Sequence, residues 1–144
     1  MGAIRIREPS GADHAAVAAL LGELGYPAEA QALPARLAAM RRERIAALWV
    51  AEVDGRIVGL ASAHCFSALH ADAPVAYLSA LVVCEDARRC GAGRALVEQA
   101  QSWARDRGAP RMSISVGAQR QTARSFYRAM GFEETGSRFA KVIG

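Results

Sequence analysis

From Ala3 to Arg7 apolar and charged positions alternate, Ile4 and Ile6 against Arg5 and Arg7, which predicts a half-buried strand ended by Pro9. Ser10 or Asp13 then caps a helix to Leu24, with Val17, Leu20, Leu21 and Leu24 on one face and Gly25 as its stop. A second helix over Glu29–Arg44 places Leu33, Leu37 and Met40 on one side, and Pro34 near its start makes the first turn irregular. Leu48–Val53 and Ile57–Phe66 read as strands joined by Asp54-Gly55, a strong hairpin signal. Ser67–Pro74 reads as a loop. Val75–Val83 is a long apolar run, as a buried central strand should be. Leu96, Val97, Ala100 and Trp103 recur at helical spacing within Gly91–Arg107, and Gly108 stands just past the end. Met112–Val116 predicts a short strand, Thr122–Met130 a helix closed by Gly131, and Phe132–Ile143 a last strand with Gly136 as a break point.

The order is βααβββαβαβ. A hairpin precedes a strand, helix and parallel strand (75–83, 91–107, 112–116), so the expected fold is α/β, a mixed sheet with helices on both faces. A length of 144 residues suits one domain over 1–144. No apolar run reaches the roughly 20 residues of a membrane span, and the start MGAIRIREPS lacks the apolar segment of a secretion signal. Cys65, Cys84 and Cys90 fit neither a disulfide framework nor a zinc-ligand spacing. The expectation is a cytoplasmic protein with no metal and no membrane partner. The net charge of +4 permits an anionic cofactor or a nucleic acid. The arginines are scattered and no aromatic stacking motif accompanies them, which argues against nucleic acid.

The chemistry concentrates where the central strand ends, at Ala80-Leu-Val-Val-Cys-Glu-Asp-Ala-Arg-Arg-Cys-Gly-Ala-Gly-Arg-Ala-Leu96. Helix-initial amides lack intrahelical partners and carry the positive end of the dipole. Gly91 and Gly93 let a phosphate approach the backbone, and Arg88 and Arg89 add charge. Together they describe a pyrophosphate cradle. The Gly-Lys-Ser/Thr of a nucleotide P-loop is absent, and Leu96 stands where a dinucleotide fold needs its third glycine. The Arg88-x-x-Gly91-x-Gly93 pattern also fits a plain glycine turn with two solvated arginines.

With Ala123-Arg-Ser-Phe-Tyr-Arg-Ala-Met-Gly-Phe132 following at matching distance, the chain resembles the GCN5-related N-acetyltransferases, the GNAT superfamily. The resemblance implies that superfamily's mixed sheet with splayed central strands, and acetyl-CoA as co-substrate. It implies that the backbone of Leu81, Val82 and Val83 holds the pantetheine arm. It also implies that the amides from Arg89 through Cys90, Gly91, Ala92 and Gly93 to Arg94 hold the pyrophosphate, with Arg88 and Arg89 side chains in support. Ala123 would leave room for the cofactor and Tyr127 would protonate the departing thiolate. A phenol near pKa ~10 and a thiol near ~8.5 share a proton at modest cost.

Many members have Asn at the position of Arg120, which here either reaches the cofactor or is solvated. Members often carry Glu or Asp near Ser79 or Ala80 to relieve the incoming amine of a proton; this chain has a hydroxyl and a methyl there. The base must come from elsewhere, with His64, Glu52, His70, Asp72 and Glu85 as candidates and His64 foremost for its neutrality at pH 7. Cys90 at the helix start reads as a small residue of the motif. The acceptor pocket is expected to be built from the first two helices around Tyr26 to Leu33, the Cys65–Asp72 loop and the last strand, with His70 and Asp72 at its mouth. The tail Gly136-Ser-Arg-Phe-Ala-Lys141 resembles members that acetylate aminoglycosides or other small amines. The expected function is direct acetyl transfer to a primary amine of a small molecule, with a homodimer as the candidate assembly; the alternative is an acyl-CoA-binding regulator without turnover.

Overall fold

A computed structural model gives the architecture and describes residues 2–115, 121–136 and 138–144. Strands β1 (Ile4–Arg7), β2 (Ala46–Val53), β3 (Arg56–Phe66), β4 (Val75–Val83) and β5 (Met112–Ser113) form a sheet in the order β1-β2-β3-β4-β5. The first four run antiparallel to their neighbours and β5 is parallel to β4. Helices α1 (His14–Leu24), α2 (Leu33–Glu43), α3 (Ala92–Asp106) and α4 (Gln121–Ala129) complete the described elements. Six consecutive residues of β3, Val58–Ala63, are buried. Alternate residues of a strand face opposite ways, so such a run requires cover on both faces. α3 packs on β1 through β4, while α1 lies on β3 and β4 and α2 on β2.

The turn chemistry explains the helix and hairpin limits. Asp54 and Gly55 both have positive φ (51° and 77°), as the tight hairpin turn demands. Short 3-10 turns at Gly11–Asp13 and Ala30–Ala32 lead into α1 and α2. Pro34 lies in the first turn of α2, where its missing N–H costs nothing. Arg7 ties three elements together: it donates to Glu52 on β2 at 2.9 Å and to Asp13, before α1, at 2.7 Å. These contacts hold the Asp13 carboxyl down at about 2.

Two expectations fail at the carboxyl-terminal side. β5 comprises Met112 and Ser113 and is not continued by Ile114 and Ser115, where a strand over Met112–Val116 was expected; Val116 lies outside the described residues. No strand forms among the described residues of Phe132–Ile143. Phe132 is drawn back onto α4 by the hydrogen bond its amide donates to the Tyr127 carbonyl at 2.9 Å, a helix-closing contact made after Gly131 turns to φ 93°. Further on, Phe139 (94% exposed), Val142 and Ile143 face solvent. Alternation gives a segment strand character only when a neighbour offers hydrogen bonds, and the two-residue β5 offers almost none.

Candidate active site

The parallel ladder between β4 and β5 is limited to Ala76 with Met112 and Tyr77 with Ser113. Beyond Tyr77 the two strands part, and the splay opens a cavity of about 810 Å³. That volume lies in the range of small-ligand sites. β4 supplies one wall, α4 contributes Ala123 and Tyr127, and the end of α1 contributes Tyr26.

Backbone direction decides what β4 offers to the gap. The Cys84 amide donates to the Val58 carbonyl of β3 at 2.8 Å. Backbone groups alternate in direction along a strand, so Val82 also turns toward β3 while Leu81 and Val83 turn toward the gap. This corrects the expected trio, since Val82 is committed to the sheet. A bulge at Ser62/Ala63 shifts the register, pairing Ser62 with Ala80 and Ala63 with Leu78. Ser79, left between them, reaches Ser62 Oγ at 2.8 Å and His64 Nδ1 at 3.0 Å.

Past Val83 the chain makes a 3-10 turn at Glu85–Ala87, pinned by Arg56, which donates to Asp86 at 2.7 Å. That ion pair lowers the Asp86 carboxyl, and burial raises the neighbouring Cys84 thiol. Arg89 and Gly91 then take positive φ (70° and 95°) and α3 begins at Ala92. Cys90 closes the turn through Arg88 and Arg89, and among the described residues the amides of Arg89, Gly91, Ala92, Gly93 and Arg94 donate no backbone hydrogen bond. Such a row is a concave arrangement of donors suited to an anion. The two glycines differ in purpose. Gly91 is needed for its positive φ, whereas a Cβ on Gly93 would lie 3.3 Å from the Phe126 ring. Gly93 therefore lets α3 start close against α4. The Arg88 side chain turns back to donate to the Val83 carbonyl at 3.3 Å, and Arg94 lies 3.9 Å from Glu98.

Tyr127 is 8% exposed and wedged edge-on between Phe126 and Phe132, with ring centroids at 5.3 and 5.5 Å. His64 lines the same cavity. Of the other base candidates, Glu52 is engaged by Arg7 and Glu85 is exposed on the turn after β4. His70 and Asp72 are exposed before β4 and do not line the cavity, unlike Tyr26. Arg120 lies outside the described residues. Phe66 and Arg138, from the two segments expected to build the acceptor pocket, also line the cavity, as does Tyr77, which the sequence reading missed. Tyr77 and Ser79 do carry a signal, being polar-capable residues two apart on an otherwise apolar strand.

The profile of the Acetyltransferase (GNAT) family matches residues 15–132. N-acetyltransferase 8 of Homo sapiens is 33% identical over 102 residues, covering 67% of this chain and 43% of that protein. Peptidyl-lysine N-acetyltransferase YjaB of Escherichia coli (strain K12) is 40% identical over 60 residues, 42% of this chain and 37% of that one. The chain thus spans less than half the length of these curated relatives. The solved aminoglycoside N-acetyltransferase AAC(6')-Iy in complex with CoA superposes with a TM-score of 0.85 at 21% identity, over 99% of this chain and 96% of that one. Such a likeness speaks to the fold. The extent of the family match over motif, sheet and splay leaves one assignment: this chain belongs to the Acetyltransferase (GNAT) family.

Proposed function

We propose that the protein transfers an acetyl group from acetyl-CoA to a primary amine of a small molecule, by direct attack in a ternary complex. The observation that carries this reading is the set of amides without a backbone partner at Arg89 and over Gly91–Arg94, beside the opening between β4 and β5. The amides fit a diphosphate, and the outward backbone of Leu81 and Val83 fits the amides of a pantetheine arm. Arg88 and Arg89 add positive charge at the same turn. When bound, acetyl-CoA supplies a thioester whose acyl carbon is open to an amine.

The chain's residues then manage two protons. Tyr127 holds the one needed by the departing sulfur. His64 is the candidate to receive the one lost by the amine, directly or through water. In the tautomer with Nδ1 protonated, His64 donates to Ser79 and Ser79 to Ser62, which leaves the Nε2 lone pair for that proton. The phenol within the cavity favours turnover over a binding-only regulator.

The test is release of free thiol from acetyl-CoA in the presence of a panel of amines. The protein should release thiol with at least one amine. Tyr127→Phe should slow turnover by about 10²–10⁴-fold while acetyl-CoA still binds. A near-normal rate in this variant would remove the phenol from the reaction.

A further inference from the structure

The cavity extends well past the position where a thioester would lie. At a rise of ~3.3 Å per residue, Tyr77 lies about 20 Å along β4 from Val83, so the cavity's far end belongs to the acceptor. Ile45, His64, Phe66 and Tyr77 stand at that end, and Tyr26 and Arg138 line the same cavity. The Phe66 and Tyr77 rings stack at 6.0 Å, 15° from parallel, and Tyr77 remains 42% exposed. Among the described residues the cavity lining contains no Asp or Glu, and Arg138 is its one arginine or lysine. No ion pair engages Arg138 among the described residues.

This lining is mismatched to a polycation, which would lose water without gaining a carboxylate and would be repelled by the guanidinium. It suits a ligand with a flat apolar group to lie on the stacked rings and a carboxylate to meet Arg138. The amine of such a ligand would sit near His64 and near the end of α1, where the helix dipole is negative. We infer that the acceptor is an amine carrying both a carboxylate and an aromatic or large apolar group, the chemical class of an aromatic α-amino acid. The inference rests on the acetyl-transfer reading. In that reaction the amine nitrogen bonds to the acyl carbon, the carbon–sulfur bond breaks, the nitrogen gives up a proton to His64, directly or through water, the sulfur takes one from Tyr127, and solvent carries the proton from His64 back to the phenolate. The products are an N-acetyl amino acid and the free thiol.

The experiment measures acetyl-CoA binding by calorimetry and thiol release with phenylalanine, phenethylamine, alanine and kanamycin. Phenylalanine should exceed phenethylamine and alanine in kcat/KM by about tenfold, with kanamycin slowest. Arg138→Ala should bring the phenylalanine-to-phenethylamine ratio toward one, through KM. A preference for kanamycin, or a ratio unchanged in Arg138→Ala, overturns the inference. Binding of acetyl-CoA with no turnover of phenylalanine overturns it also, while leaving the acetyl-transfer reading standing. No binding of acetyl-CoA overturns both.

Discussion

Asp13 does more than cap a helix. Its carboxylate takes the Ser10 amide at 2.7 Å and both terminal nitrogens of Arg7, while Arg7 also holds Glu52. One buried carboxylate therefore joins the edge strand to the first helix. Its pKa is held at about 2 against an ordinary 3.8, chiefly by the Arg7 hydrogen bonds. A carboxyl with a lowered folded-state pKa contributes stability that is full above the ordinary value and lost as pH falls toward the folded one. The contribution is on the order of 2 kcal/mol. Asp13→Asn should be less stable at pH 7 by about that amount, with the difference shrinking between about pH 5 and pH 2. Urea unfolding of both proteins across that range measures it, and a pH-independent difference would refute the electrostatic account. Ser10 and Asp13 were both legible as cap candidates because capping is local. The Arg7–Glu52 contact was not, since it spans 45 positions.

At the scale of elements, the coupling of α3 to α4 passes through a missing side chain. Gly93 leaves room for the Phe126 ring, and Phe126 is the neighbour of Tyr127 in sequence and an edge-on partner in packing. Gly93→Ala would gain helix propensity of up to about 1 kcal/mol and lose a similar amount to crowding. Stability should therefore change little, while displacement of α4 lowers kcat several-fold, on the order of 10-fold. Melting temperature together with kcat distinguishes this from simple unfolding; an unchanged kcat would show that α4 adjusts without moving the phenol. The same scale separates what could be read from what could not. The Asp54-Gly55 turn and the stripe of Ala123 and Tyr127 were readable because both follow from local backbone geometry. The β4 bulge was hidden, because it depends on how Ser79 and Ala80 oppose Ser62 across the sheet. The last strand was misread because its alternating residues say nothing about a partner. His70 and Asp72 shared polarity with a pocket mouth but lie on a loop whose course the sequence does not specify.

Across the whole molecule the sheet is unevenly joined. β1 through β4 are held by long antiparallel ladders and covered by α3, whereas β5 is attached to β4 by two residue pairs. Acetyl-CoA in the gap would bridge the two parts, taking the outward backbone of Leu81 and the Val83 amide on one side and packing against Ala123 on the other. The net charge of +4 favours approach of this anion. A ligand that binds only the folded state at a hundredfold excess over its Kd stabilises by about 2.7 kcal/mol, which for a chain of this size raises Tm by roughly 5–11 °C. Thermal unfolding with acetyl-CoA at that excess should show such a rise, smaller at high salt. Acetyl-pantetheine, which keeps the arm and thioester but has no diphosphate, should give a much smaller shift at equal concentration. Hydrogen exchange should then slow at Arg89–Arg94 with acetyl-CoA and not with acetyl-pantetheine. Equal shifts from the two compounds would assign the binding to the strand edge alone and deprive the α3 amides of their part in it.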